Sequence, residues 1–219
     1  MAKYLKPAAF LGVLIAGLVF VAQSPASVVF DPINRTIDTW GDEPVTDQDK
    51  KWTLIDTNLN PNTAVQFFTT VQTTQDVHSS TLNFVGSLPV GTFFIDYSIE
   101  IVGAPLLFFK AVSMDTTVPD QSAPGVTVVK LVDDDADPVD DPLRTLTSKN
   151  GVPSGLQFFP PLLTKLWVHE TFTVPTDGLL TNATNTYTQA PIPEPASVLL
   201  WLGLGGTAAV VCWWRRRKR

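Results

Sequence analysis

The middle of this sequence predicts an all-β fold, an antiparallel β-sandwich with a jelly roll as the nearest alternative. Three observations carry that expectation. Short runs rich in Val, Ile, Thr and Phe alternate apolar and polar residues at period two. Pro and Gly punctuate the runs, in LPVG at 88–91, GAP at 103–105, APG at 123–125 and NGVPSG at 150–155. Residues 27–180 show no sustained helical periodicity.

The elements follow in order. AVQFFTTVQT and STLNFVG are the first candidate strands. In TFFIDYSIEIV, Ile95, Tyr97, Ile99 and Ile101 share one face, and Asp96, Ser98 and Glu100 the other. LLFFKAVSM and GVTVVKLV are apolar on both sides and predict central strands; Thr-rich runs predict edges. In KLWVHETFTV, Leu166, Val168, Phe172 and Val174 oppose Trp167, His169, Thr171 and Thr173. Phe67, Phe84, Phe94, Tyr97, Phe108, Trp167 and Phe172 are the candidate core aromatics. Burying six or seven such rings contributes on the order of 20–35 kcal/mol gross, before entropy. A core of that size makes a disulfide unnecessary, and the lone Cys212 excludes a disulfide or a thiolate metal site in the body.

Charge is distributed unevenly. Outside residues 1–26 and the end from Ala190 onward, the chain holds 20 acids against 8 bases, a net of −12. That balance argues against nucleic acid as a partner, which needs a basic footprint.

The two ends are of a different kind. Residues 1–26 read as a signal peptide: Lys3 and Lys6 precede the apolar run Phe10 to Ala22, and Ser24-Pro25-Ala26 supplies small residues for cleavage after Ala26. Residues 27–180 are the body, and 181–191 a Thr/Pro-rich spacer or edge strand. The nineteen residues 196–214 carry no charge. At about 1.5 Å each they extend roughly 28 Å as a helix, close to the thickness of a bilayer core. Trp201, Trp213 and Trp214 suit the interfaces, and Arg215, Arg216, Arg217, Lys218 and Arg219 suit the cytoplasmic side. The expected fold is therefore a β-sandwich flanked by a signal helix and a C-terminal transmembrane helix. The expected location is outside the cytoplasmic membrane, anchored in lipid by the C-terminus.

Pro193-Glu194-Pro195, the apolar stretch behind it and the terminal basic cluster together resemble the PEP-CTERM sorting signal of Gram-negative bacteria. The resemblance covers residues 192–219 only. It implies export, recognition and processing by an exosortase, and a cell-envelope or extracellular setting associated with exopolysaccharide and biofilm. The site residues it implies are those of a substrate: Pro193, Glu194 and Pro195 as the sorting motif, with residues 215–219 as the anchor. Cys212 is no part of that motif.

Candidate chemistry in the body is sparse, and the body is read as a non-enzymatic scaffold. Asp133, Asp135 and Asp137 alternate in VDDDADPVDDP, as in oxygen-ligand calcium loops. Pro138 and Arg144 stand where an EF-hand needs Gly and Glu, so the alternatives are a different calcium loop or a solvated acidic turn. His78 and His169, with Asp76, Ser79, Ser80 and Glu170 near them in sequence, form no recognisable catalytic or zinc signature. Trp40 and Trp52 fit either sugar stacking, which makes a carbohydrate-binding module the alternative function, or packing in the core. Asn34-Arg35-Thr36 and Asn182-Ala183-Thr184 match the short acceptor pattern for N-glycosylation.

Overall fold

The computed structural model describes residues 27–72, 77–103, 107–119 and 125–191. The chain begins with β1 (Ser27–Val29), β2 (Ile33–Thr36), α1 (Ile37–Asp42), β3 (Val45–Asp47), β4 (Lys50–Thr57) and β5 (Ala64–Gln72). It continues with β6 (Val77–Leu88), β7 (Gly91–Ile101), β8 (Leu107–Thr117), β9 (Thr127–Asp133) and β10 (Arg144–Lys149). β11 (Val152–Pro153), β12 (Gln157–Phe158), β13 (Lys165–Val174) and β14 (Leu180–Pro191) complete it.

These strands form two antiparallel sheets. The first runs β1-β5-β6-β14-β8-β12, with β2 also on β5; the second runs β11-β10-β9-β13-β7-β4-β3. Strand parity turns one side of each sheet inward. On β13, Leu166, Val168, Glu170, Phe172 and Val174 are buried. On β7, Ile95, Tyr97 and Ile99 are buried, each with no solvent contact. Aromatic contacts then join sheet to sheet: Phe84 meets Phe172 edge-on at 5.3 Å between centroids, and Trp52 meets Tyr187 at 5.7 Å. Edge-on geometry sets the positive rim of one ring against the negative face of the other.

The predicted core is partly redistributed. Phe67, Phe84, Tyr97 and Phe172 are buried as expected, whereas Phe94, Phe108 and Trp167 are only half-buried. Phe109, the neighbour of Phe108, takes the inward position instead. Trp40 and Trp52 are each 1 % exposed, so of the two readings core packing holds and sugar stacking does not: neither ring has a face open to a ligand. Trp40 rides on α1, whose six residues are too few to register as helical periodicity. Its start is fixed by a capping box, in which the Thr36 and Thr39 side chains each serve the other's backbone amide.

The expectation of flanking helices, and with it that of a membrane-anchored location, is also corrected. Among the described residues α1 is the single, short helix, and none is long and apolar enough to cross a membrane. The predicted signal segment 1–26, the transmembrane segment 196–214 and the basic tail 215–219 lie outside the described residues. Residues 181–191, expected as a spacer or edge strand, belong to β14, which is paired to β6 on one side and β8 on the other.

One turn is closed by a lack of side chain. Pro175 to Leu179 link β13 to β14, and the Gly178 amide donates to the Pro175 carbonyl at 2.9 Å. A Cβ at Gly178 would lie 2.7 Å from both Pro175 and Val126 side-chain atoms. Gly178→Ala is therefore expected to destabilise the fold by about 1–3 kcal/mol, read as a lowered midpoint in urea unfolding; an unchanged midpoint would show that the turn relaxes freely.

Candidate functional site

The most unusual chemistry is inside, between the sheets. Lys130 on β9 and Glu170 on β13 are register partners in the second sheet. Asn185 faces them from β14 in the first sheet, where it lies opposite Leu82 on β6 and Met114 on β8. All three residues have no solvent exposure. The Asn185 amide Nδ2 donates to Glu170 Oε2 at 2.8 Å, and Lys130 Nζ stands 3.4 Å from Glu170 Oε1. Lys130 Nζ also lies 5.1 Å from the centre of the Tyr187 ring.

Burial acts on these charges in opposite senses. It pushes the Lys130 amine down to about 8, against the pull of the Glu170 carboxylate. It pushes the Glu170 carboxyl up, against Lys130 and the Asn185 hydrogen bond. Three atoms of the cluster, Lys130 Nζ, Glu170 Oε1 and Asn185 Oδ1, lack a hydrogen bond. An unmet buried polar group costs about 1–3 kcal/mol.

Sequence reasoning missed this cluster, although the signal was present. Lys130 occupies an inward position of GVTVVKLV, Glu170 the one polar residue on the apolar face of KLWVHETFTV, and Asn185 an inward position of β14. A charged residue whose parity points into a core marks a special interior.

Beside the cluster, the hydroxyls of Tyr97 and Tyr187 bond to each other across the sheets at 2.8 Å. Burial, then the Glu170 carboxylate, holds both phenols well above their ordinary value, so they stay neutral. A third tie joins Thr116 of β8 to Ser148 of β10 at 2.5 Å.

The outward face of the second sheet carries a different group. His169 Nδ1 meets Asp96 Oδ1 at 2.5 Å, and His169 Nε2 meets the Thr171 hydroxyl at 3.0 Å. The Phe94 ring stacks on the imidazole at 6.1 Å. A carboxylate, an imidazole and a hydroxyl in line is the pattern of an activated nucleophile. The surroundings do not complete it. β13 is paired on both sides, so its amides serve the ladders rather than a developing oxyanion. His78, Ser79 and Ser80 are positions on β6 in the other sheet, so the structure does not bring the two histidines together. Asp76 lies outside the described residues.

Further along the same face, a cavity of about 140 Å³ opens between Ile55, Asp96 and Trp167 and the loop residues Asp137, Pro138 and Val139. Lys165 Nζ sits 4.4 Å from the centre of the Trp167 ring. The acidic loop does not gather its carboxylates. Asp133 is buried at the end of β9, where its Oδ1 accepts from the Asp134 amide at 2.8 Å, and burial pushes its carboxyl up. Asp135 accepts from the Asp137 amide at 2.9 Å, closing a local turn, and Asp137 borders the cavity. Among the described residues, no three His, Cys, Asp or Glu side chains are placed to hold a metal ion.

Of the two glycosylation-pattern asparagines, Asn34 Oδ1 accepts from Gln66 Nε2 at 2.8 Å and Asn182 Oδ1 from the Thr184 hydroxyl at 3.3 Å. Pro193, Glu194, Pro195 and Cys212 lie outside the described residues.

The geometry defines a two-sheet antiparallel β protein whose interior polar groups tie one sheet to the other. No known family's sequence profile matches the chain, and no curated protein matches it. The sorting-signal resemblance therefore gains nothing from comparison and rests on the residues of 192–219 alone.

The tyrosine pair is open to a direct test. Tyr187→Phe should cost about 1–3 kcal/mol, because it strands the Tyr97 hydroxyl in the core. The double change with Tyr97→Phe should cost less than the two single changes summed, as urea unfolding of the three variants will read. Strict additivity would mean that the two hydroxyls are not coupled.

Proposed function

We propose that this chain is a non-enzymatic structural protein of the cell envelope or extracellular matrix, processed by an exosortase and associated with exopolysaccharide. The observation that carries the scaffold reading is the direction of its polar chemistry. Tyr97–Tyr187, Asn185–Glu170 and Thr116–Ser148 all reach from sheet to sheet, binding the layers together. Support for processing comes from the sequence: Pro193-Glu194-Pro195, an uncharged apolar run and five basic residues stand in that order. The tripeptide begins two residues after Pro191, which still pairs with Leu107 of β8. A protease reaching the motif would thus work at the rim of a folded body.

The test is to produce the full chain in an envelope-bearing host with and without an exosortase, and to determine its C-terminus by mass spectrometry. Trimming at or next to residues 193–195 only when the enzyme is present is the expected result, and Glu194→Ala should suppress it. The same C-terminus in both hosts would overturn the processing reading.

A second reading, a carbohydrate-binding module, is favoured by the cavity beside Trp167. An aromatic ring accepts the C–H face of a sugar, and the Asp96 and Asp137 carboxylates accept from its hydroxyls. Titration of the full chain with the host's exopolysaccharide in a calorimeter should then give heat that Trp167→Ala removes. A flat wild-type titration would leave the scaffold reading alone.

A further inference from the structure

We propose that Lys130 and Asn185 join covalently, forming an amide between Lys130 Nζ and Asn185 Cγ with Glu170 as the acid–base residue, so that the two sheets become cross-linked through the core. The inference stands independently of the functional reading above.

Geometry is the first argument. One carboxyl group holds both reactants, with the Asn185 amide on Oε2 at 2.8 Å and the Lys130 amine 3.4 Å from Oε1. The reactants come from opposite sheets, and the whole cluster is closed to solvent. Holding amine, carboxamide and proton carrier on one carboxyl group in a site closed to solvent lowers the entropic barrier to their reaction. The hydrogen-bond pattern is the second argument. The three atoms left without a partner are the amine nitrogen, the carboxamide oxygen and the carboxyl oxygen beside the amine. These are the atoms that the proposed bond satisfies. In the product, the new N–H donates to Glu170, and the protonated Glu170 donates to the new carbonyl. A carboxylic acid offers one donor and an acceptor, matching an amide.

The chemistry balances without any further reactant. The Lys130 ammonium gives a proton to the Glu170 carboxylate, which the apolar surroundings favour by removing both charges. The directions in which burial moves the two groups agree with that transfer. A half-turn of the Asn185 amide about Cβ–Cγ presents Oδ1, which has no partner to hold it, to the Glu170 O–H. The Nζ lone pair then attacks Cγ, and the carbonyl π pair moves onto Oδ1, stabilised by that O–H. Glu170 relays a proton from Nζ to Nδ2. The Cγ–Nδ2 bond breaks, the carbonyl re-forms and ammonia leaves. One C–N bond is made, one is broken, and nothing is oxidised or reduced.

Intact mass and peptide mapping of the purified full chain test the proposal. The mass, compared with the termini that mapping finds, should be lower than the sequence mass by one ammonia. A proteolytic digest should contain a branched peptide in which the Lys130 segment is joined to the Asn185 segment. The branched peptide is essential, because Asn150-Gly151 can lose ammonia by closing a succinimide. Lys130→Arg and Asn185→Ala should each retain the full mass at this site, and Glu170→Gln should leave the bond unformed in folded protein. If these variants do not fold, the wild-type digest still decides: separate, unmodified Lys130 and Asn185 peptides overturn the proposal.

Discussion

Lys130 and Glu170 face each other on neighbouring strands, and neither is exposed to solvent. Removing two such charges from water costs several kcal/mol per ion, and their attraction offsets this only when the geometry is good. Here the separation is 3.4 Å, longer than a strong charge-assisted hydrogen bond, and the amine lacks a hydrogen-bond partner. An ion pair of that quality is a poor stabiliser by itself. Two hydrophobic residues of the same volume would serve the core better. The presence of the pair calls for a reason other than stability, and under the proposed cross-link the proton transfer that neutralises both groups would also make Lys130 a nucleophile.

The rest of the core is arranged around that cluster. Tyr187 supplies the ring beside the Lys130 amine, and its hydroxyl meets Tyr97 from the other sheet. Trp52 and Phe109 pack against Tyr187, and Trp40 and Trp52 against Tyr97. The aromatics thus make a low-dielectric sleeve around a short polar axis running from sheet to sheet. Within such a sleeve, hydrogen bonds strengthen and unpaired groups become costly. A covalent tie from Lys130 to Asn185 closes a loop of about 55 residues, an entropic constraint on the unfolded chain of roughly 4 kcal/mol by the usual loop-closure estimate. That is comparable to a disulfide, in a body that has no cysteine.

Period-two alternation made the strands legible. KLWVHETFTV lies on β13 with Leu166, Val168, Phe172 and Val174 inward, and TFFIDYSIEI lies on β7 with Ile95, Tyr97 and Ile99 inward. Where both parities are apolar, as in LLFFKAVSM, the sequence does not say which side faces in, and Phe109 rather than Phe108 is the core ring. Trp40 and Trp52 stand among Asp, Lys and Thr, so local sequence left sugar stacking and core packing both open. A six-residue helix and the short pair β3–β4 turn both rings inward, which depends on pairing that local sequence does not encode. The cluster of Lys130, Glu170 and Asn185 was half legible. Parity put each residue inward, yet their meeting needs β9 beside β13 and β14 across from them. Strand order of that kind is set by long-range packing.

That strand order also decides how the body bears load. β14 has a partner along both sides and ends at Pro191, so a pull on the following chain enters the fold along β14. The ladders to β6 and β8 resist such a pull in shear, as many parallel hydrogen bonds strained together. They tie β14 only to its own sheet. The polar axis through Asn185, Glu170 and Lys130 reaches the other sheet, and it does so from the same strand that receives the force. A bond at that place would carry load from β14 into the second sheet as well as into its own. The buried lysine and the strand order therefore favour the same conclusion.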